Sequence, residues 1–69
     1  MRKIGQFVYK DYDIILWEEA GRPVYEYGAI VRDENDREWE TNTSTSLAEI
    51  IQRAITYIEN AQYAPRMGM

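Results

Sequence analysis

The chain contains no cysteine and no histidine. The first absence excludes disulfides, thiolate nucleophiles and cysteine-based zinc sites. The second excludes every histidine-based acid–base scheme. No apolar run approaches the ~20 residues a membrane-spanning helix needs. The four glycines stand singly, so no glycine-rich phosphate loop is present. The start, Met1-Arg2-Lys3-Ile4-Gly5-Gln6, is basic but lacks the apolar core of a secretory signal, and a cytoplasmic location is the expectation. With 69 residues there is room for a single domain. A chain of that size buries only about 60% of its unfolded surface, so its core must be efficient or it must associate. The material for such a core is aromatic: two Trp, six Tyr and one Phe, each able to bury ~150–250 Å².

The periodicity divides the chain into strands followed by one helix. Phe7-Val8-Tyr9 is a short β-prone run, and Lys10-Asp11 can turn the chain after it. Residues 12–18 read as a strand rich in aromatic and β-branched side chains. Gly21-Arg22-Pro23 breaks it. Residues 24–31 form the next strand, with Gly28 marking either a bulge or a close backbone approach. Asp33-Glu34-Asn35-Asp36 is turn chemistry, and residues 37–41 give a weaker third strand. Ser46-Leu47-Ala48-Glu49 fits a capping box, in which the Ser oxygen meets the N3 amide and the Glu reaches back. Leu47, Ile50, Ile51, Ala54, Ile55 and Ile58 then form one apolar stripe at helical spacing. The predicted helix covers residues 46–62, and Pro65 forbids its extension.

The expected fold is therefore α+β: a three-stranded antiparallel meander, or four-stranded if the N-terminal run pairs, with one C-terminal amphipathic helix across one face. Residues 1–62 make the domain, and 63–69 a flexible tail. Leu47, Ile51, Ala54, Ile55 and Ile58 are expected to bury against Ile14 and Leu16.

Strand alternation sorts the faces. Tyr12, Ile14 and Leu16 oppose Asp13, Ile15 and Trp17; Tyr25, Tyr27, Ala29 and Val31 oppose Val24, Glu26, Gly28 and Ile30; Trp39 and Thr41 oppose Glu38 and Glu40. Both faces carry large apolar residues, more than one helix can hide, so some aromatic surface should remain open to a partner.

Charge is uneven. Residues 18–40 hold eight acids against three Arg, whereas the first ten residues hold three cations and no acid. Such a segment repels phosphate and suits a basic protein surface. The candidate partner-binding residues are Trp17, Glu18, Glu19, Tyr25, Glu26, Tyr27, Asp33, Glu34, Asp36, Glu38, Trp39 and Glu40. The function expected is non-enzymatic protein binding, with inhibition of a nucleic-acid-processing protein as its sharper form. The alternatives are a homodimer or other structural homo-oligomer, and a sheet that stacks single-stranded nucleic acid. The latter is disfavoured because Glu18, Glu19 and Glu26, rather than Lys or Arg, surround Trp17, Tyr25 and Tyr27.

Catalytic, metal and cofactor readings find no support. Glu18 and Glu19 are adjacent on a strand and point to opposite faces. Ser44 and Ser46 have no histidine to activate them. Asp33-x-Asn35-x-Arg37 begins like a calcium loop but places Arg at a ligand position, lacks the glycine and has Ser44 where the twelfth-position Glu belongs. Asn42-Thr43-Ser44 matches a glycosylation acceptor without the secretory context that would give it meaning.

The order strand, turn, strand, turn, strand and capped helix, ending in Ser46-Leu47-Ala48-Glu49-Ile50-Ile51-Gln52-Arg53-Ala54, resembles the N-terminal part of HicB-type antitoxins. In that family such a domain precedes a DNA-binding segment and neutralises a small toxin. The family's Pro-Gly-containing segment after the second strand and its DNA-binding extension have no counterpart in these residues. The resemblance therefore implies an antitoxin-like binder without assigning a role to any residue.

Overall fold

The computed structural model describes residues 1–21 and 23–63, the side chains of 62 and 63 excepted. Its elements are β1 Arg2–Tyr9, β2 Tyr12–Glu19, β3 Glu26–Arg32, β4 Glu38–Glu40 and α1 Leu47–Tyr63. The strands pair antiparallel in chain order to give one sheet, β1-β2-β3-β4. The chain is thus an α+β meander with a C-terminal helix packed on it, in the four-stranded version of the expected fold.

The element boundaries shift from those the pattern suggests. β2 and β3 each run one residue further, to Glu19 and Arg32, the strand expected over 37–41 narrows to Glu38–Glu40, and the helix starts at Leu47 after its Ser46 cap. Further shifts occur elsewhere. β1 is eight residues long rather than three, because pairing with β2 draws Arg2 to Gln6 into the ladder across a register shift between Lys3 and Gly5. The strand expected from residue 24 starts at Glu26, since β2 ends at Glu19 opposite Glu26, leaving Val24 and Tyr25 exposed in the connection. The helix includes Tyr63, expected to open the tail. The tail expectation for 64–69 otherwise lies outside the described residues.

Lys10 and Asp11 join β1 to β2 between the paired Tyr9 and Tyr12, both with positive φ (49° and 68°). That is the two-residue turn whose twist suits a hairpin, made here without glycine. Lys10 ties the turn to the helix: its Nζ donates to Glu59 Oε2 at 2.5 Å, and Tyr9 Oη donates to Glu59 Oε1 at 3.1 Å. The β3–β4 turn is held by Asp33, whose Oδ1 accepts the N–H groups of Asn35 (2.8 Å) and Arg37 (3.0 Å), while Asp36 takes the left-handed position (φ 63°).

The hydroxyl-rich stretch 41–46 is a seam rather than a loose link. Thr41 is buried, and its Oγ1 accepts the Ala29 N–H at 3.0 Å while its own N–H donates to the Ala29 carbonyl. Ser44 exchanges both backbone bonds with Tyr27. Ser46 Oγ accepts the Glu49 N–H at 3.2 Å, the expected cap, which contributes ~0.5–2 kcal/mol. The return arm of the capping box does not form. Glu49 turns along the helix to Arg53, and the Ser46 N–H donates to Ser44 Oγ instead.

The core joins Ile14 and Leu16 of β2, Ala29 and Val31 of β3, and Ile50, Ala54 and Ile58 of α1. The expectation for the helix needs correction. Ala54 and Ile58 are buried as expected, but Ile50 takes the central place. Leu47, Ile51 and Ile55 are only half-buried. The apolar stripe is wider than its contact with the sheet, and helix rotation selects its centre. Tyr57 stacks on Trp39 with centroids 4.1 Å apart and planes at 4°. This draws the β4 side of α1 inward and leaves Ile51 and Ile55 on the opposite flank.

Two outcomes follow. Ile50→Ala should cost about 2–5 kcal/mol in urea unfolding, clearly more than Ile51→Ala; equal losses would contradict this rotation of the helix. Lys10, and then Tyr9, hold the Glu59 carboxyl below the usual carboxylate range. A carboxyl with a lowered folded pKa stabilises above its unfolded value of ~4.3 and loses that contribution as pH falls through the folded value. Glu59→Gln should therefore flatten the acid-side loss of urea midpoint below about pH 4.3, and an unchanged acid limb would show the network to be inert.

Candidate protein-binding face

One helix covers one face of the sheet, and strand pairing defines what stands on the other. Four rows cross it. Val8, Asp13, Arg32 and Glu38 form the first, Gln6, Ile15, Ile30 and Glu40 the second, Lys3, Trp17 and Gly28 the third, and Glu19 with Glu26 the fourth. The first row is a ladder of alternating sign. Arg32 Nε and Nη2 donate to Glu38 Oε2 at 2.9 and 2.6 Å. That bond and the Glu38 charge raise the Arg32 pKa, with Asp36 and Asp13 adding to the effect. The middle rows are apolar at their centre. The fourth sets two carboxylates opposite each other, an arrangement unfavourable to the sheet itself.

Trp17 and Gly28 are the fixed point of this face. They are direct cross-strand partners, and the indole lies on the Gly28 backbone so closely that a Cβ there would stand 2.6 Å from Trp17 Cε2. Of the two readings for Gly28, the close approach is the one that holds, since the β2–β3 register runs without a bulge. The Trp17 Nε1 donor is buried with no hydrogen-bond partner among the described residues. A buried donor left unpaired is costly, so the ring is held there by packing.

The structure divides the expected partner-binding residues. Trp17, Glu19, Glu26, Glu38 and Glu40 share the uncovered face. Tyr27 and Trp39 lie on the helix side, packed against the core. Glu18 also alternates to the helix side, where it pairs with Arg2 and is only 14% exposed. Tyr25 stands in the β2–β3 connection, 55% exposed. Asp33, Glu34 and Asp36 belong to the β3–β4 turn, where Asp33 is used as a turn cap. Val8, Ile15 and Ile30 were not among the expected site residues, yet they form the apolar part of the face. Alternation with Trp17 and Gly28 was the signal that could have found Ile15 and Ile30. Val8, 66% exposed, required the full β1 pairing.

The surface is acidic as well as apolar: among the described residues Asp13, Glu19, Glu26, Glu38 and Glu40 face outward, with Lys3 and Arg32 as the cations of the four rows. Among the described residues no helix is long and apolar enough to cross a membrane. Comparison of the chain with known protein families, curated proteins and solved structures finds no match. The antitoxin-like likeness of element order accordingly gains no support from any relative.

The Trp17–Gly28 contact is testable. Gly28→Ala should cost about 1–3 kcal/mol by overpacking, and the loss should shrink in a Trp17→Ala background, a coupling of about 0.5–3 kcal/mol. Additive losses in urea unfolding would mean the ring and the glycine do not depend on each other.

Proposed function

We propose that the chain is a non-catalytic protein-binding module whose uncovered sheet face docks a partner with a basic, partly apolar surface. The observation that carries this reading is the face itself: an apolar centre of Ile15, Trp17 and Ile30 within a rim dominated by carboxylates. Apolar centres with polar rims are the usual anatomy of protein interfaces, and the rim charge would steer a cationic partner and speed its association. A nucleic-acid-processing protein offers such a surface, and occupying it would inhibit that protein. Self-association through this face is less favourable, because two copies would oppose carboxylate rims. Stacking of single-stranded nucleic acid is opposed by the same charges.

The test uses Glu26 and Glu40. Glu38 is less suitable, because a cation there would face Arg32 across the strands. Proteins retained from source-cell extract by the wild-type chain but not by the Glu26→Lys, Glu40→Lys variant identify the partner. With that partner purified, the double reversal should slow association more than it speeds dissociation, and affinity should fall as salt rises. Affinity indifferent to salt and to the reversal would overturn the reading, as would tight binding of the wild-type chain to single-stranded oligonucleotides.

A further inference from the structure

The outer edge of β4 borders a groove. The bonds from Asp33 N–H to the Arg37 carbonyl and from Thr41 N–H to the Ala29 carbonyl fix which residues of this segment face β3. In an antiparallel ladder these inward positions alternate, so Arg37, Trp39 and Thr41 turn their backbone groups toward β3. Glu38 and Glu40 turn their N–H and C=O groups away from the sheet. Beside this edge lies an open groove of about 610 Å³. The stacked rings of Trp39 of β4 and Tyr57 of α1 line it, together with Gln52, Arg53, Thr56 and Asn60 of the helix.

We propose that this edge accepts an extended segment of a partner chain as a fifth strand, and that the segment has the pattern basic–apolar–basic. The pattern follows from alternation. A residue placed opposite Trp39 directs its side chain to the helix side, over the aromatic pair, where an aliphatic group fits. Its two neighbours lie opposite Glu38 and Glu40, bond to the backbone groups these residues turn away from β3, and direct their side chains to the acidic face. Glu40 makes no ion pair among the described residues, so a lysine or arginine there meets an uncommitted carboxylate. Arg53, the cation on the groove wall, is already bonded to Glu49 and to the Asn42 carbonyl. Within these 69 residues no two basic residues are separated by one position, so none of them supplies the segment. Main-chain bonding with alternate side-chain pockets is how exposed strands recognise peptides. The proposal rests on the preceding section only for the partner's basic charge.

The experiment is an amide-resolved NMR titration of the full chain with the capped pentapeptide Thr-Lys-Ile-Lys-Thr. The controls are the same residues in the order Lys-Lys-Thr-Thr-Ile, and Thr-Glu-Ile-Glu-Thr. Saturable shifts at Glu38, Glu40, Gln52 and Thr56, with slowed hydrogen exchange of the Glu38 and Glu40 amides, are expected for the first peptide and not for the controls. Glu40→Gln should weaken binding about 1.5- to 5-fold, the loss of one exposed ion pair. Glu40→Pro should abolish it while leaving the fold intact, because that N–H takes no part in the β3–β4 ladder and edge strands tolerate proline there. The exchange measurement on the wild-type chain decides the matter if the proline variant does not fold. Equal binding of the reordered peptide, no added protection at Glu38 and Glu40, or binding that persists in folded Glu40→Pro would each overturn the strand-addition proposal. Shifts confined to Ile15, Trp17 and Ile30 would overturn it while leaving the sheet-face reading standing. Failure of the Glu26→Lys reversal alone to affect a captured partner would count against the sheet face and not the edge, because Glu26 pairs with Glu19 away from β4.

Discussion

Ile50, Ala54 and Ile58 stand on one line of α1 and press into the sheet at Ile14, Leu16, Ala29 and Val31. This seam is what the rest of the molecule depends on. Ala29 and Ala54 are fully buried, and their small side chains leave room for the isoleucines around them. A domain this size has no second core to fall back on, and no disulfide to constrain its unfolded state. The surrounding half-buried residues, Phe7, Tyr12, Tyr27, Trp39 and Tyr57 among them, extend the seam outward and explain why so short a chain carries so many aromatics.

The connections serve the seam. Asp33 caps the β3–β4 turn, and Lys10 carries the β1–β2 turn to Glu59 on the helix. Between β4 and α1 the hydroxyls of Thr41, Ser44 and Ser46 each accept a backbone N–H. In this stretch side-chain oxygens replace carbonyl acceptors, the competition that makes Ser and Thr favourable at caps and turns. A segment that looks like a polar linker therefore fixes where the helix begins and how it lies on β3.

The uncovered face is a consequence of arithmetic in elements: four strands have two faces, and one helix hides one of them. Trp17 limits the exposure of that face by lying flat on Gly28, which shields backbone that a glycine leaves bare. The like-charged pair Glu19 and Glu26 contributes nothing favourable to the sheet by its own interaction. The face thus combines features costly to the isolated fold with an excess of carboxylates, and at β4 it meets an edge where the Glu38 and Glu40 backbone groups turn away from β3.

The sequence by itself determined the element types, their order and the division of the strands into two faces. These follow from local rules: period two against period 3.6, a serine before an apolar stripe, and Asp-rich turns. Alternation alone put Ile15 with Trp17 and Ala29 with Val31. Only the tertiary structure decided which apolar residues became core, because the rotation of α1 depends on Trp39 meeting Tyr57, residues 18 positions apart with no local signal linking them. The same packing took Trp39 and Tyr27 away from the candidate binding surface and left Glu40 on it. Pairing with β2 lengthened β1 through residues of little intrinsic strand preference. Faces are local properties of a strand; which face is covered, and by which turn of the helix, is settled by contacts between residues far apart in the chain.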